Sequence, residues 1–375
     1  MRVFAALCLS LFAIVASAQN VPPPTVAAKA WLLLDHDSGQ ILAAQDPDAR
    51  IEPASLTKLM TAYLTFAALK QGTLKLDQVV PVSTRAWKME GSRMFIAPDI
   101  PVTVDELIHG MIIQSGNDAC VALAEAIAGS EETFAAMMNR EAQRLGMTGT
   151  QFMNSSGMPH PQHYTTARDL ATLVSALIHD FPEDYKVYST KEYTYNKITQ
   201  PNRNRLLWLD PTVDGVKTGH TASAGYCLIS SAKRGPRRLV SIMLGTASDD
   251  ARTQESLKVL NYGFQFFDTT KLYSAQQAVS QLRVWKGAAK EVEAGFLEDM
   301  VLSVPKGQAE KIQATMTSQQ PLIAPIQKGQ KIGSMTVTLD GKTLGEYPVV
   351  ALQDVGLAGW FGRLWDALVL WFKSL

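Results

Sequence analysis

One helix of almost continuously apolar residues constrains the fold of this 375-residue chain more than any other feature. The stretch EPASLTKLMTAYLTFAAL, residues 52–69, is apolar on nearly every side after Glu52. A helix that is hydrophobic all round has to be buried by the rest of the fold. Lys58 lies inside this helix, and burying an unpaired ammonium group is costly. The fold must therefore give this lysine polar partners or hold its amine neutral.

The order of strand and helix patterns along the chain predicts the fold class. AKAWLLLDHDSGQILAAQ indicates two strands around a turn, and GYCLISSAKRGPRRLVSIMLGTA indicates a second hairpin. Helical periodicity dominates from residue 55 to about 180, a strand pattern returns near 213–218, and residues 250–267 are typical of a long helix. We therefore expect an α+β fold, with helices flanking an antiparallel sheet rather than a repeating βαβ layout.

Four segments differ in composition. Residues 1–18 start with Arg2, continue with an apolar run and end in an Ala-Ser-Ala cleavage pattern, which predicts a secretory signal peptide. Residues 24–280 carry the α+β pattern. Residues 281–353 form short alternating segments between Gly, Pro and Asp turns, which predicts a small β-sandwich-like domain. Residues 356–375 are expected to form a C-terminal helix.

The last 16 residues, WFGRLWDALVLWFKSL, are amphipathic at helical spacing. At about 100° per residue, the apolar side chains cover one half of the wheel, with Leu370 as the exception. The polar half holds Gly362, Arg363, Asp366, Lys373 and Ser374. Such a helix is too short to span a bilayer but suits the membrane interface. We expect the membrane surface as the partner of residues 360–375; the alternative is a helix docked on its own domain.

Composition argues against several other classes of function. With 35 basic and 35 acidic residues, the chain has no charge excess that would favour nucleic acid. Cys120 and Cys227 lie in apolar stretches and are expected to be buried thiols rather than a disulfide framework. The histidines show no metal-site spacing, so no metal or other cofactor is expected. His160 and His163 flank a proline-containing loop and are expected to be exposed to solvent.

The motif S-x-x-K occurs three times, at Ser55–Lys58, Ser230–Lys233 and Ser303–Lys306. The first begins a helix, whereas the other two lie at turn patterns, where a lysine is solvated. The i,i+3 spacing places the first serine and lysine on one helix face, and a serine needs an adjacent base to act as a nucleophile. That pair is either a nucleophile with its base or a serine beside a lysine that extends to the surface.

Two further motifs have functional and structural interpretations. Ser115-Gly116-Asn117 lies in a turn between helical patterns, where its side chains can face a cleft or simply cap a helix. Lys217-Thr218-Gly219 lies in a strand pattern, where the glycine can let a ligand backbone approach or merely end the strand. Taken singly, each motif favours the structural interpretation. Together and in this order, S-x-x-K, S-G-N and K-T-G are the signature of the penicillin-interacting serine enzymes.

Further segments narrow this signature to one family. SRMFIAPD, SGNDAC, YTTARDL and KTGHT, with Arg252 in the closing helix, resemble the low-molecular-mass penicillin-binding proteins of the D-alanyl-D-alanine carboxypeptidase type. The resemblance runs from about residue 28 to the C-terminus and is strongest over residues 50–270. It implies that residues 24–280 form a catalytic domain of the β-lactamase/transpeptidase type. The chain differs from many β-lactamases because it has S-G-N rather than S-D-N and lacks E-x-x-L-N between Asn117 and Lys217.

The resemblance also implies a mechanism and a substrate. The enzyme would remove the terminal D-alanine from peptidoglycan stem peptides that end in D-Ala-D-Ala, and β-lactam antibiotics would acylate it. Its catalytic residues would be Ser55 as the nucleophile, Lys58 as the base and Ser115, which passes a proton to the leaving amine. The substrate-binding residues would be Asn117, Lys217, Thr218, Gly219, His220 and Arg252.

Other features of the mechanism and the cellular setting follow from the same resemblance. The backbone N–H groups of Ser55 and His220 would form the oxyanion hole. Thr218 and Arg252 would bind the terminal carboxylate, and Lys217 would keep the site electropositive. The protein is expected to be exported and to lie peripherally on the periplasmic face of the bacterial inner membrane, where it acts in cell-wall synthesis and cell shape.

Three other functions remain open from the sequence. An endopeptidase that cuts peptide crosslinks would use the same site with a different pocket. A β-lactamase is disfavoured because the chain lacks the deacylating glutamate motif. A catalytically silent wall-binding protein would have no reason to retain Ser55, Lys58, Ser115 and Lys217.

Overall fold

The computed structural model describes residues 22–373. The signal peptide predicted for residues 1–18 lies outside the described residues, as do Ser374 and Leu375 of the terminal helix. The chain divides into two compact units. The first contains Pro23–Gln265 with Met300–Ser303, and the second contains Phe266–Asp299 with the residues from Val304 onward.

A five-stranded antiparallel sheet forms the centre of the first unit, with the strand order β2-β1-β9-β8-β7. Both hairpins predicted from the sequence are present as β1–β2 and β8–β9. Because β7 is an edge strand, one side of its backbone has no partner strand in this sheet. The strands of this unit are β1 (Ala30–Asp35), β2 (Ile41–Gln45), β3 (Val79–Val80), β4 (Val102–Thr103), β5 (Glu192–Tyr195), β6 (Ile198–Pro201), β7 (Val213–Thr221), β8 (Gly225–Arg234) and β9 (Arg237–Thr246).

The helices of this unit lie mostly between β2 and β7 in sequence, as predicted. Several begin at polar caps, among them a capping box between Thr103 and Glu106 and the hydroxyl of Thr166. Antiparallel strands with flanking helices confirm the α+β fold class. The helices are α1 (Lys58–Lys70), α2 (Thr84–Trp87), α3 (Val104–Ile113), α4 (Asn117–Ala128), α5 (Glu131–Arg144), α6 (Ala167–Asp180), α7 (Leu206–Leu209) and α8 (Asp249–Phe266).

Helix α1 lies in the core of the first unit. Every residue from Lys58 to Phe66 is buried, and so is Ala68. The expectation of a helix buried on all sides, with its lysine inside, is therefore confirmed. A short 3-10 turn, Ala54–Thr57, precedes α1 and carries the serine of the first motif.

The second unit is built from β-strands and ends in a helix. Six of its strands form one sheet in the order β14-β16-β17-β12-β11-β15, which confirms a second, all-β region. The last helix, α9, forms where the amphipathic pattern predicts it. The elements are β10 (Phe267–Tyr273), β11 (Ala278–Trp285), β12 (Glu291–Gly295), β14 (Ile312–Ser318), β15 (Leu322–Ile323), β16 (Lys331–Leu339), β17 (Lys342–Ala351) and α9 (Trp360–Lys373). Strand β13 (Met300–Pro305) is divided, because Met300–Ser303 belong to the first unit and the remaining residues to the second.

Candidate active site

The 3-10 turn before α1 brings Ser55 and Lys58 together. Side chains at i and i+3 nearly eclipse each other in 3-10 geometry. Lys58 Nζ accordingly lies 3.0 Å from Ser55 Oγ. Lys58 is only 1% exposed, whereas Ser55 lines an open cavity of about 630 Å³. A hydroxyl therefore faces the cavity, and an amine lies directly behind it.

The Lys58 amine has three oxygen neighbours, of which Ser55 Oγ is one. Its Nζ also donates to Asn117 Oδ1 at 2.8 Å and to the carbonyl oxygen of Ser156 at 2.6 Å. Both are pure acceptors, and the amide orientation is supported because Asn117 Nδ2 donates to the carbonyl of Glu90 at 2.7 Å. A neutral amine has two N–H groups and one lone pair. When the two N–H groups are used on these acceptors, the lone pair faces Ser55 Oγ.

Burial makes the neutral form of this amine accessible. It lowers the pKa of Lys58 from 10.5 to about 8; Cys120 and Asp118 oppose this effect, and Arg203 adds to it. At pH 7, about one molecule in ten then carries a neutral amine at this position. Lys58 can therefore act as a base toward Ser55 near neutral pH.

The Ser115-Gly116-Asn117 motif forms the tight turn between α3 and α4, as expected. Ser115 has a φ of 65°, a left-handed conformation that is strained for a residue with a side chain. Two backbone hydrogen bonds stabilise the turn: Gly116 N donates to the carbonyl of Gly110 at 3.0 Å, and Asn117 N donates to that of Ser92 at 2.7 Å. Ser115 and Asn117 are thereby fixed on one side of the cavity.

Lys217 lies on the edge strand β7 and is 3% exposed. Its Nζ donates to Ser115 Oγ at 2.9 Å and to the carbonyl of Thr218 at 3.1 Å. Burial first, and then the charge of Lys58, lower the pKa of Lys217 well below 10.5. An entering carboxylate would favour the protonated form of Lys217. The three motifs thus meet in one site through two lysine contacts, Lys58 with Asn117 and Lys217 with Ser115.

The structure gives a different reason for Gly219 from the one expected. A Cβ atom at this position would lie 3.1 Å from the carbonyl oxygen of Pro53 and 3.3 Å from both Ala54 Cβ and Leu56 Cγ. Strand β7 therefore passes directly against the turn that carries the serine. The glycine allows this close approach of two backbone segments, rather than the approach of a ligand backbone alone.

Thr218, His220 and Arg252 line the same cavity as Ser55 and Ser115. The exposed ring of His220 packs against Tyr226, with their centroids 4.0 Å apart. The sequence-predicted residues that do not line the cavity, Lys58, Asn117 and Lys217, lie buried behind it.

Protein groups hold the Arg252 guanidinium in place. Arg252 is 6% exposed, and its Nη1 donates to the carbonyls of Gly219 at 3.1 Å and Cys227 at 3.2 Å. Its Nη2 donates to Asp249. A guanidinium fixed in this way at a cavity wall is suited to binding a carboxylate.

Sequence reasoning missed part of the cavity wall. Arg203 and Arg205 add positive charge to that of Arg252. The sequence signal for these two arginines was the alternation of asparagine and arginine in PNRNR, residues 201–205, directly after a strand-like segment. The other wall residues that the sequence analysis did not single out are Ser92, Gln200, Pro201, Asn202, Tyr226 and Asp249.

Two features of the segment 153–163 also differ from expectation. The carbonyl of Ser156, which contacts Lys58, has no signature in the sequence because any residue carries that group. The prediction for His163 was wrong: this residue is only 3% exposed, and its Nε2 lies 3.0 Å from Thr57 Oγ1. Burial lowers the pKa of His163 to about 4. His160 is exposed, as expected.

The other two S-x-x-K matches do not form comparable sites. Lys233 and Lys306 are exposed. Ser303 lies in β13 rather than in a turn, and its hydroxyl donates to Asp35. Cys120 and Cys227 are free and buried, which confirms the expectation of buried thiols.

Two properties apply to residues 22–373. No cluster of three or more His, Cys, Asp or Glu side chains in this part of the chain could hold a metal ion. None of the helices in the same part is long and apolar enough to cross a membrane.

Comparison with family models matches both regions of the chain. Residues 17–248 match the Peptidase S11 model, described as D-alanyl-D-alanine carboxypeptidase. Residues 267–356 match the model of the penicillin-binding protein 5 C-terminal domain.

Curated relatives align over nearly the whole chain. The D-alanyl-D-alanine carboxypeptidase DacC of Escherichia coli (strain K12) is 44% identical, with 96% of this chain and 93% of the relative covered. The D-alanyl-D-alanine carboxypeptidase DacA of Haemophilus influenzae is 42% identical, with 98% and 96% covered.

Solved structures agree with these relatives. Penicillin-binding protein 5 of Haemophilus influenzae superposes with a TM-score of 0.85 at 41% identity, covering 90% of this chain and 99% of that structure. Penicillin-binding protein D2 of Listeria monocytogenes in its ampicillin-bound form superposes with a TM-score of 0.61 at 31% identity, covering 65% and 100%.

Proposed function

The chain belongs to the Peptidase S11 family and is a serine-type D-alanyl-D-alanine carboxypeptidase, and from that premise we propose that Ser55 is its nucleophile and Lys58 its general base. One observation carries this assignment. The buried Lys58 amine is surrounded by two pure acceptors and the Ser55 hydroxyl, so that its neutral form directs a lone pair at Ser55 Oγ. This supplies the adjacent base that a serine nucleophile requires.

Acylation then follows from the arrangement of the site. Lys58 takes the proton of Ser55 as Oγ attacks the carbonyl carbon of the penultimate D-alanine. The backbone N–H groups of Ser55 and His220 stabilise the resulting oxyanion. The C–N bond to the last D-alanine breaks, and its amine receives a proton through Ser115, whose hydroxyl accepts a hydrogen bond from Lys217. Lys58 then takes a proton from a water molecule that attacks the ester carbonyl, and it returns this proton to Ser55 Oγ as the C–O bond breaks and the shortened peptide leaves as a carboxylic acid.

Substrate binding uses the edge of the sheet and the positive wall of the cavity. The free side of β7 can pair with an extended peptide. Thr218 and Arg252 bind the terminal carboxylate, whose negative charge favours the protonated form of Lys217. Asn117 accepts from Lys58 through Oδ1 and donates to the Glu90 carbonyl through Nδ2, so holding a substrate amide would require this second bond to be exchanged.

The same site should react with β-lactams. The Listeria relative has been solved in ampicillin-bound and cefotaxime-bound forms. In this chain, attack of Ser55 on the lactam carbonyl would form a stable acyl-enzyme.

Helix α9 supports peripheral attachment to a membrane. Its aromatic residues are largely exposed, with Trp360 at 63%, Phe361 at 81% and Trp365 at 69%. An amphipathic helix with exposed tryptophans suits the interface of a bilayer. Together with the export expected from residues 1–18, this supports a location on the periplasmic face of the inner membrane.

The test of the site is intact-mass measurement after benzylpenicillin treatment, with peptide mapping of the adduct. We expect one adduct per chain on the peptide that contains Ser55, and none in Ser55→Ala. Lys58→Ala should slow both acylation and D-alanine release by a factor of about 100 to 10,000, the range for loss of a general base. Lys233→Ala and Lys306→Ala are the matched controls and should behave as wild type. Normal rates in Lys58→Ala would remove it as the base.

Product analysis distinguishes the remaining activities. A carboxypeptidase releases D-alanine from uncrosslinked muropeptides, whereas an endopeptidase would act chiefly on crosslinked ones. Failure to take up any fluorescent penicillin would instead favour a silent wall-binding protein.

A further inference from the structure

Glu131 has a buried carboxylate that contacts Ser155, the residue next to the Ser156 carbonyl that accepts from Lys58. Glu131 begins α5 and is only 4% exposed. Its Oε1 accepts hydrogen bonds from Ser155 N at 3.0 Å and from Ser155 Oγ at 2.6 Å. Its Oε2 forms an ion pair with Arg85 at 2.6 Å. One carboxylate oxygen thus accepts hydrogen bonds from both the backbone N–H and the hydroxyl of a single serine.

That serine is directly bonded to the residue whose carbonyl contacts the base. Ser155 is fixed from its other side as well, because its carbonyl accepts from Thr61 Oγ1 at 2.6 Å. The next carbonyl along the chain, that of Ser156, accepts from Lys58 Nζ at 2.6 Å. With Ser155 held at N, Oγ and O, the residue that precedes this carbonyl is fixed in place. Both Ser155 and Ser156 are buried.

The direction of the Lys58 lone pair depends on that carbonyl. If the Ser156 oxygen moved away, an N–H of the neutral amine would be free to turn toward Ser55 Oγ, and the lone pair would point elsewhere. An error of about 1 Å in the placement of a reacting group can cost about 100-fold in rate.

We propose that Glu131 is a positioning residue of the reaction: through Ser155 it holds the Ser156 carbonyl on Lys58 and so directs the base at the nucleophile. This inference depends on the function proposed above, in which Lys58 is the base. Glu131 does not line the cavity and has no contact with the substrate in this scheme. Its removal should therefore change the rate of acylation and not the binding of the ligand.

The neighbouring residue provides a matched control. Glu132 pairs with the same arginine, since Arg85 Nη1 lies 2.6 Å from Glu132 Oε1, but its side chain is 69% exposed. Glu132→Ala removes the same charge and an ion pair to the same partner without affecting Ser155. Surface ion pairs of this kind contribute little to stability.

The experiment measures acylation by a fluorescent penicillin in single-turnover mode, separating the dissociation constant from the first-order acylation rate. For Glu131→Ala, we expect an acylation rate lower by about 10- to 100-fold, an unchanged dissociation constant and one label per chain at long times. Glu131→Gln keeps an acceptor oxygen for Ser155 and should recover the rate to within about threefold. Glu132→Ala should match wild type.

Several outcomes would overturn the proposal. An acylation rate equal to that of wild type in Glu131→Ala would contradict it. A normal rate with far less than one label per chain would also contradict it, because that result indicates that part of the protein is unfolded and that the base is correctly placed in the rest. If Glu131→Ala does not fold, Thr61→Val and Ser155→Ala each remove one hydrogen bond that fixes Ser155. Normal acylation rates in both variants would contradict the proposal. Lys58→Ala is measured in parallel: its retention of activity would refute the assigned base, independently of the result at Glu131.

Discussion

Lys58 and Asn117, 59 positions apart in sequence, are joined by a hydrogen bond of 2.8 Å inside the protein. The contact links the first motif to the second. Together with the bond to the Ser156 carbonyl, it leaves the lone pair of the neutral Lys58 amine facing Ser55. The other end of the Asn117 amide is tied to Glu90. Neither side chain can therefore rotate without breaking another hydrogen bond, which would preorganise the proposed base before substrate arrives.

The pH dependence of acylation should report the Lys58 amine. Burial lowers its pKa to about 8, and only the neutral form can accept the proton of Ser55. The second-order rate constant with a fluorescent penicillin should rise with pH and level off above about pH 8, with an increase of nearly tenfold between pH 6 and 7. A rate constant that levels off only near pH 10.5, the ordinary pKa of lysine, or one that does not change from pH 6 to 8, would contradict a buried amine as the base.

Gly219→Ala should impair the site through the backbone. The added Cβ would lie 3.1 Å from the carbonyl of Pro53, which is tighter than ordinary packing, so β7 and the turn of Ser55 must separate slightly. We expect acylation to slow by about tenfold or more, because the proposed oxyanion donors, the backbone N–H groups of Ser55 and His220, come from both segments. Gly356→Ala, where the new Cβ meets nothing within 4 Å, is the control. Equal rates in the two variants would argue against this tight approach.

Arg252→Ala should affect substrates according to their C-terminal group. The loss of a hydrogen bond to a charged group is worth about 1.5–3 kcal/mol, or roughly 10- to 100-fold in kcat/KM. A peptide that ends in a free D-alanine carboxylate should show this loss. The same peptide with a C-terminal amide should be a poor substrate of the wild type, and its rate should be unaffected by the change. An equal loss on both peptides would mean that Arg252 acts on the fold instead of on the carboxylate.

His163 should make stability fall in mild acid. Its pKa is about 4 in the folded state against 6.5 as the ordinary value, so the unfolded chain binds the proton first as pH falls. The free energy of unfolding should therefore decrease as pH drops from about 6.5 toward 4, by about 2 kcal/mol between pH 7 and 5. Urea unfolding of wild type and His163→Gln at both pH values isolates this term, since other groups cancel. The variant should lack it, and the same pH dependence in both proteins would exclude His163 as the source.

Helix α9 should control binding to vesicles and leave the chemistry unchanged. Phe361→Asp with Trp365→Asp places two charges on its exposed apolar face and should abolish co-sedimentation with vesicles of phosphatidylethanolamine and phosphatidylglycerol. Gln313→Asp with Thr315→Asp adds two negative charges at exposed positions of β14 and controls for net charge. Penicillin acylation should be the same in all three proteins. Retained sedimentation of the α9 variant would contradict the membrane proposal.

Local sequence patterns were sufficient to predict the main elements and the three motifs of this protein. Hairpins, the buried helix α1, the closing helix α8 and the amphipathic α9 follow from short-range periodicity, which depends on neighbouring residues only. The pair Ser55 and Lys58 was also predictable, because three residues of spacing on one helical turn bring the side chains together whatever surrounds them.

How those motifs meet, and which groups without a sequence signature complete the site, depends on the packing of distant segments. The Ser156 carbonyl is a backbone atom that any residue would supply, and the burial of His163 and Glu131 depends on segments distant in sequence. Glycine is required at position 219 because β7 passes close to the turn that carries Ser55, and these two segments are far apart along the chain. Such contacts arise from how separate elements pack, and a local pattern carries no information about the element on the other side.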